Sequence, residues 1–496
     1  MPERRQYTKK RTSLIAVLLA GVMALLPVAG LADGVTINGK NLEYDVTEES
    51  VEIKDAKEVA AILIESSEKD SLLTIKKFIS VINETLNAVI SVKSYSGHTS
   101  TLDVGEDITL QGIPENTSYP GAEVSLYAVN KSTAALHVGG NVSLESLGDS
   151  KIDVATEYQG SNADVAIDGD VSLKGSSAGF GVSTSEDGSA IVKVNGSITS
   201  QSEGPDEFNN TFAFKAYTKQ GGTIKAIIQG ALKAIGVHPV GMEISHIFNT
   251  PDEPAASVSV EIGEGIISDG DGIHILSDGP EDPDPSLAEN TVIVKGDVTA
   301  KDRGLYLTTP FPSTVVIDGT LSGGTAAVFL DKNEAVGDNL TLVVWKIEPN
   351  KDGAYAVRYD YWTKEMVRDT GFEQNNPLYI IRVVQPETGG TLYTEGTRTF
   401  EVNGKEFEVA LAGDKIYLVG NPEEGYKMLT AFWDPELTQE MTADGENRFY
   451  MVVPVGGGVT LSAFLQQRPS KPQSVRPDYH VTYKEVENFD TWIPVE

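Results

Sequence analysis

A run of alternating aspartate and glycine, Asp269-Gly270-Asp271-Gly272, is the first place in this sequence where residue type and spacing could do chemistry. Calcium is a hard cation that takes several oxygen ligands, so Asp269 and Asp271 are candidate calcium ligands. Further acidic side chains follow at Asp278, Asp282 and Asp284. The run lacks both EF-hand spacing and the glycine-rich nonapeptide of calcium-binding β-helices. The alternative is an acidic surface loop whose Asp-Gly pairs form turns.

A second group of carboxylates could act as general acid and base, or bind calcium, if the side chains shared one strand face. Its members are Asp153, Asp164, Asp168 and Asp170. Such chemistry needs a partner at matching height on a neighbouring strand, and the sequence does not establish one. Asp168 and Asp170 also flank a glycine, where short polar residues favour a turn. We therefore predict no catalytic and no cofactor-binding residue.

Histidines and aromatic residues give no stronger site. The histidines are scattered without metal-ligand spacing, at His98, His137, His238, His246, His274 and His480. Serine–histidine–aspartate triads, phosphate-binding loops and dinucleotide fingerprints are not evident. An aromatic group could stack on sugar rings or pack a domain junction; it comprises Tyr355, Tyr359, Tyr361 and Trp362.

A repeated strand pattern must position these residues. In the copy around Gly296, apolar residues lie two and four positions before the glycine and two after it. Nine copies recur at spacings of 23 to 34 residues. Their aligned positions are Lys77, Glu106, Gly140, Gly169, Gly196, Gly230, Glu264, Gly296 and Gly319. Alternation with period two indicates strands, and variable spacing suits a coil with stacked rungs and loops of different length.

A further strand is predicted between successive copies. These segments are Ala88 to Val92, Glu123 to Ala128, Ile152 to Ala155, Gly179 to Ser183, Ala213 to Tyr217, Gly241 to Ser245, Gly272 to Leu276, Gly304 to Leu307 and Ala327 to Leu330. The pattern predicts an all-β fold, a right-handed parallel β-helix of about nine rungs. A β-sandwich is the alternative, because it also has short strands at regular spacing.

The aligned position lies an even number of residues from the inward apolar residues, so a straight strand would point it inward. In three copies, however, it is occupied by Lys77, Glu106 and Glu264. Lysine and glutamate are almost never fully buried without a partner. We therefore predict an outward corner at this position, with glycine favoured because corners often need positive φ.

The ends of the chain predict further elements. Residues 1–32 have a basic start, an apolar run and small residues near Ala32, as in a secretory signal; an uncleaved membrane anchor is the alternative. Asn38-Gly39 predicts a hairpin. Apolar spacing in Ala56 to Glu65 predicts a short helix that caps the first edge of the coil.

The repeat over residues 56–335 resembles secreted right-handed β-helix proteins of Gram-positive bacteria, of the pectate-lyase-like and adhesin group. The segments Gly413-Asp414, Gly425-Tyr426 and Val459-Thr460-Leu461 resemble bacterial repeat modules related to the internalin B-repeat. The second resemblance implies a spacer or adhesive unit. The predicted organisation is signal peptide 1–32, hairpin and capping helix 33–66, parallel β-helix 67–347, connector 348–377, small β domain 378–465 and flexible tail 466–496.

Composition bounds the function. The formal net charge of −33 disfavours nucleic acid and anionic membranes as partners, although it also suits simple solubility. The absence of cysteine excludes disulfides and thiolate metal sites. We expect a secreted, non-enzymatic surface or adhesin-like protein, without membrane insertion after signal cleavage, whose partner is an extracellular glycan or a surface protein. The alternatives are a polysaccharide lyase or glycoside hydrolase, or a glycan-binding module, on the same scaffold.

Overall fold

The computed structural model describes residues 34–54, 61–83, 87–112, 120–203, 211–247, 255–278, 285–331, 339–360, 363 and 365–468, and the backbone of 482–484 and 493–495. The described structure is all-β, with long parallel sheets consistent with a β-helix-like fold. The predicted signal peptide, residues 1–32, and residues 56–60 of the predicted capping helix lie outside the described residues. Two compact units divide the chain: one runs to Thr291 and includes Thr309–Phe311, and the other contains Val292–Thr308 and the chain from Pro312.

The first unit begins with strands β1 (Gly34–Ile37) and β2 (Lys40–Asn41). The described chain then passes through three strands in turn, eight times. These coils are β3 (Asp45–Glu48), β4 (Val51–Lys54), β5 (Ile62–Ser66); β6 (Ser71–Ile75), β7 (Ile79–Asn83), β8 (Ala88–Ser94); β9 (Thr99–Val104), β10 (Ile108–Gly112), β11 (Pro120–Val129); β12 (Thr133–Val138), β13 (Val142–Ser146), β14 (Asp149–Glu157); β15 (Asn162–Ile167), β16 (Val171–Gly175), β17 (Ala178–Ser185); β18 (Ser189–Val194), β19 (Ile198–Ser202), β20 (Phe212–Lys219); β21 (Gly222–Ile228), β22 (Leu232–Ile235), β23 (Val240–Ile247); β24 (Ala256–Ile262), β25 (Ile266–Ser268), β26 (Asp271–Asp278).

Each strand of the first seven coils pairs in parallel with the strand three places further along the chain. The strands therefore form three ladders, which we call first, second and third in chain order within a coil. Alternate side chains fill the interior: in the sixth coil Val192, Val194 and Ile198 are fully buried. The seven aligned copies of this unit occupy the first and second ladders, and their intervening strands form the third.

The chain makes one coil more at its start than the nine copies predict, because Asp45–Glu48 and Val51–Lys54 already pair as first and second strands. The predicted capping helix is wrong where it is described, since Ile62–Ser66 is a strand with Ile62 and Ile64 buried. Ile62, Leu63 and Ile64 form a short continuous apolar run, which fits a strand as well as a helix. Strand β1 instead covers the edge of β5 by antiparallel pairing, and Asn38 and Gly39 turn β1 into β2.

The predicted outward corner is confirmed. Lys77, Glu106 and Glu264 are exposed at the bends between the first and second ladders. The predicted reason for glycine is wrong, because none of the aligned glycines has positive φ. A Cβ at Gly169 would lie 2.4 Å from Asn141 Oδ1 and 2.7 Å from the backbone of Gly140. At Gly169 the backbones of the two stacked corners therefore lie too close for a side chain, whereas the corners at Lys77, Glu106 and Glu264 accommodate one.

The second unit continues with three ladder positions of its own. Its strands are β27 (Ala288–Val294, which contains the division), β28 (Val298–Ala300), β29 (Arg303–Leu307), β30 (Ser313–Gly323), β31 (Ala326–Asp331), β32 (Leu340–Ile347) and β33 (Ala356–Asp360). Parallel pairs join β28 to β30, β29 to β31, β30 to β32 and β31 to β33. Strand β34 (Glu365–Arg368) then pairs antiparallel with β33, and a short helix, α1 (Thr370–Asn375), follows. A turn of 3₁₀-helix, Pro285–Leu287, belongs to the first unit.

The C-terminal strands form small, mainly antiparallel sheets. They are β35 (Leu378–Ile380), β36 (Arg382–Val383), β37 (Gly390–Glu395), β38 (Arg398–Val402), β39 (Lys405–Leu411), β40 (Lys415–Pro422), β41 (Tyr426–Phe432), β42 (Thr442–Ala443), β43 (Arg448–Val452), β44 (Thr460–Gln467), β45 (Thr482–Lys484) and β46 (Ile493–Val495). Strand β35 pairs with both β32 and β39. Ile380 and Val409 pack on the outward Val316 and Val343, which explains why β30 and β32 are apolar on both faces.

Candidate functional site

The candidate carboxylates do not form one group. Asp164 lies on the first ladder, Asp168 and Asp170 lie at the next corner, and Asp153 lies on the third ladder. Asp168 Oδ1 accepts a hydrogen bond from Asn195 Nδ2 at 2.9 Å, one coil further on. Asp170 Oδ1 accepts one from the Ser197 backbone N–H at 2.7 Å. These contacts join adjacent coils and account for Asp168 and Asp170 without catalysis.

Asp170 belongs to a chain of corner hydrogen bonds that we call the corner clasp, comprising Asp107, Asn141, Asp170 and Ser197. Asp107 Oδ1 accepts from Asn141 N at 2.6 Å, and Asn141 Oδ1 accepts from Asp170 N at 2.9 Å. Ser197 Oγ in turn accepts from Ala231 N at 3.1 Å. Each side chain satisfies a backbone donor of the following coil, as a helix N-cap does within a helix. In the second unit Asp297 does the same for Thr320 N at 2.6 Å.

Asp153 instead lies among charges on the outward side of the third ladder, which we call the charged face. Its members in the first unit are Glu65, Lys93, Glu123, Lys151, Asp153, Lys215, Glu243 and His274. Lys151 Nζ lies 3.8 Å from Glu123 Oε2 and 3.7 Å from Asp153 Oδ2. Glu123 is only 5% exposed although it points away from the coil interior. The face thus combines a buried carboxyl group, an amine and a more exposed carboxylate.

Burial and neighbouring charges together set the pKa values on this face. It raises the pKa of Glu123, and the nearby Lys151 opposes that effect. Burial would lower the pKa of Lys151, but the carboxylates of Glu123, Asp153 and Asp149 outweigh it and raise that pKa. For Lys93 burial prevails and the pKa is lowered. A buried carboxyl group with a raised pKa, as in Glu123, is a group that general acid–base chemistry can use. The nearby Lys151 also makes Glu123 one half of an ordinary buried ion pair.

A notch interrupts the charged face at Gly181. Asp153, Gly181, Lys215 and Glu243 are consecutive partners in register across four strands. No atom outside its chain neighbours lies within 3.8 Å of a Cβ placed at Gly181, whereas the Phe212 ring would be 2.4 Å from one at Gly179. The Phe212 ring therefore covers Gly179, whereas a Cβ at Gly181 would meet Asp153, Ile152 and Phe212 only at ordinary contact distances of 3.8–3.9 Å. Beyond Gly181, Lys215 Nζ lies 2.7 Å from Glu243 Oε1. Lys215 and His274 outweigh burial and lower the pKa of Glu243.

His246 is buried inside the coil. Its Nδ1 lies 2.6 Å from Thr218 Oγ1, its Nε2 lies 2.7 Å from Asn290 Oδ1, and its ring packs edge-on against Phe311. The amide oxygen only accepts, so Nε2 carries the proton and Nδ1 accepts from the threonine hydroxyl. Burial lowers the pKa of His246 to about 4, against the opposing effect of Asn290. The neutral ring fills a polar position in the core, and it is not accessible to a substrate.

The predicted calcium ligands lie at a tightly bonded turn. Asp269 Oδ2 accepts from Gly236 N at 3.2 Å, and Asp271 is 7% exposed with its backbone N–H on Pro239 O. Within the described residues no group of three or more potential metal ligands is found. Asp282 and Asp284 lie outside the described residues. Calcium binding at Asp269 and Asp271 stays a prediction.

The described aromatic candidates make different local contacts. The Tyr355 backbone N–H bonds the buried carboxylate of Glu373, and Tyr359 packs against a cluster with Phe329 and Val357. Tyr361, Trp362 and His480 lie outside the described residues. His98 Nδ1 lies 3.5 Å from Asp70 on the surface. The described part of this group is thus used in packing and capping.

Sequence reasoning missed Glu123, Lys151, Gly181 and Phe212. Glu123 and Lys151 lie 28 positions apart and Gly181 a further 30, so only the register of the third ladder shows that they are neighbours. The sequence does carry a signal for these residues, because they occupy outward positions of the intervening strands. Alternation with period two identifies the outward positions once one residue of a strand is known to point inward.

No helix in the described residues is long and apolar enough to cross a membrane. Comparison with protein families, with curated proteins and with solved structures found no match to this chain.

Proposed function

We propose that this protein is a secreted, non-enzymatic component of the cell surface, with an adhesin-like role. A right-handed parallel β-helix of stacked coils serves as the stiff stalk or binding platform. The C-terminal β domain serves as a spacer or attachment module. The signal-like N-terminus supports secretion, and the general preference for right-handed crossovers supports the hand of the coil.

The observation that carries this proposal is how the polar side chains of the coil are used. Asp107, Asn141 and Asp170 hold backbone donors of the next coil. Lys174 spans neighbouring strands to Glu145 at 3.1 Å and to Glu203 at 3.3 Å. Groups with the chemistry for catalysis thus connect one coil to the next, which suits a structural element better than an active site.

A test for turnover separates this function from an enzyme. The purified full chain is incubated with a panel of plant, bacterial and host polysaccharides, and new reducing ends and unsaturated products are measured. We expect none above the level of a heat-denatured control. Product release that disappears in Glu123→Gln or Asp153→Asn, with the fold retained by circular dichroism, would overturn the proposal. Asp168→Ala serves as the matched carboxylate control at the corner.

A second candidate function, glycan binding without turnover, is favoured by the notch at Gly181. A floor without a side chain, the neighbouring Phe212 ring and flanking Asp153 and Lys215 supply an apolar surface with polar groups at its rim. Binding on a glycan array should be lost in Gly181→Leu, which fills the notch. It should persist in Ala166→Leu, on the outward side of the first ladder. An array without any bound glycan removes this candidate.

A further inference from the structure

Strand β44 has one open edge. On one side it pairs antiparallel with β41 from Ser462 to Gln467. On the other side β36 pairs with it only at Thr460 and Leu461. The Val384 N–H still bonds Leu461 O at 2.9 Å, whereas the following Gln385 side chain is bonded to the backbone of Leu392. Within the described residues no strand pairs with this side of Ser462 to Leu465.

An apolar groove lies along the open edge. It has a volume of about 560 Å³ and runs between β44, residues 384–388 and the loop after Trp433. Three of its side chains are large, apolar and exposed: Val384 at 54%, Leu437 at 41% and Phe464 at 51%. Open strand edges with apolar side chains favour the addition of another strand, and folded proteins usually protect them.

The far wall of this groove is held in a strained conformation. Leu437 has φ of +57°, a region that leucine seldom adopts. The Asp434 carboxylate keeps the loop in place by accepting from the backbone N–H groups of Thr438 and Gln439 and from the Thr438 hydroxyl. These bonds hold the turn that places Leu437 in the lining of the groove.

The chain itself supplies an occupant. It leaves β44 at Gln467, and the 28 residues that follow Arg468 contain β45 and β46, which pair antiparallel with each other. A two-stranded pair alone is marginally stable in water. The 13 residues between Arg468 and β45 can span up to about 43 Å when extended. Ala463 and Leu465 lie only about 10–17 Å back along β44, at 3.3 Å per residue. The tail can therefore reach the groove beside its own point of departure.

We propose that the C-terminal tail docks on this groove by strand addition, with Thr482–Lys484 pairing along the open edge of β44 at Ser462 to Leu465. The added strand would hide Val384, Leu437 and Phe464 from water and complete the sheet. This inference is independent of the function proposed above.

Amide hydrogen exchange on the full chain tests the docking. In Tyr483→Pro the added strand loses a backbone donor and the freedom of φ, so the Ala463 and Leu465 amides should exchange at least tenfold faster. The amides of Ser462 and Phe464 face β41 and serve as internal controls. Ser474→Pro, in the chain between Arg468 and β45, is the matched variant and should leave Ala463 and Leu465 unchanged. Equal exchange at these two amides in the unsubstituted chain and in Tyr483→Pro would overturn the proposal.

Cross-linking identifies the occupant, because the native chain has no cysteine to interfere. The double variant Phe464→Cys/Thr482→Cys should oxidise to a disulfide within one chain. A disulfide formed only between chains would show that a second copy's tail occupies the groove and would overturn docking in cis. Failure to form any disulfide would contradict docking altogether.

Discussion

Two corners of the coil in the first unit differ in the direction in which their polar side chains point. Between the first and second ladders the polar side chains point outward, and Asp107, Asn141 and Asp170 bond the backbone of the next coil. After the third ladder they point inward. There Ser66, Ser94, Thr156, Thr184, Thr218 and His246 occupy one buried row, interrupted once by Ala128. Charged side chains lie at the corner that is exposed to water, and hydroxyl groups lie mainly at the corner that is buried.

The inward row also changes along its length. Ser94 Oγ donates to His98 O at 2.6 Å, whereas the Oγ1 atoms of Thr156 and Thr184 have no hydrogen-bond partner among the described residues. Farther on, Thr218 is bonded to His246. Identical positions in successive coils therefore have different polar environments. A repeat tolerates this because each coil contacts mainly its neighbours.

The largest expected effect on stability comes from an alanine substitution at the close-packed corner, compared with the same substitution on the third ladder. Gly169→Ala places a Cβ 2.7 Å from the backbone of Gly140, so we expect the free energy of unfolding to fall by about 3 kcal/mol. Gly181→Ala meets nothing closer than 3.8 Å and should change it by about 0.5 kcal/mol or less. Urea denaturation measures both. Equal losses would contradict the difference in packing.

Acid should lower the free energy of unfolding by protonating His246, which belongs to the inward row. Its pKa is about 4 in the folded protein and about 6.5 in the unfolded chain, so the unfolded chain binds more protons between these values. The contribution is fully present above pH 6.5 and is lost as the pH falls to 4, by at most about 3 kcal/mol. Denaturation curves at pH 7, 5.5 and 4 measure it against His246→Gln. If both proteins lose the same stability over this range, His246 is not the cause.

We expect stability changes of opposite sign when two hydroxyl groups of the same row are removed. Ser94→Ala removes a bonded hydroxyl and should destabilise the protein by about 1 kcal/mol. Thr184→Val removes an unpartnered hydroxyl and should stabilise it by about 1 kcal/mol. Thermal unfolding of both variants gives the comparison. A loss of stability in Thr184→Val would mean that its hydroxyl group has a partner.

The smallest effect concerns the corner clasp itself. Asp170→Ala frees the Ser197 N–H at an exposed position where water can replace the carboxylate, so we expect a loss of about 0.5–1 kcal/mol. Asp170→Asn keeps an acceptor oxygen and should retain most of the stability. If the asparagine variant is as weak as the alanine variant, charge rather than hydrogen bonding is responsible.

Period-two alternation predicted the strands of the coil from Ser71 onward, because Val, Ile and Leu recur at the inward positions, but it missed the first coil. Charge placed Lys77 and Glu264 outside against the alternation, because neither side chain tolerates the interior. Alternation could not give the position of Gly181 relative to Asp153, because loops of different length separate the strands and only the register joins them. The helix predicted over Ala56 to Glu65 failed in its described part because a continuous apolar run as short as Ile62 to Ile64 fits a helix and a strand equally well.

Stacking of each coil in register on the next is the central claim, and disulfide mapping tests it most directly. Thr109 pairs with Ser143, and Ser143 pairs with Ser172, on the outward side of the second ladder. Neighbouring strands lie about 4.8 Å apart, within disulfide range, whereas strands two coils apart are separated by about 10 Å. Thr109→Cys/Ser143→Cys should therefore form a disulfide on mild oxidation, and Thr109→Cys/Ser172→Cys should not. Bonding in the second variant, or its absence in the first, would contradict the account.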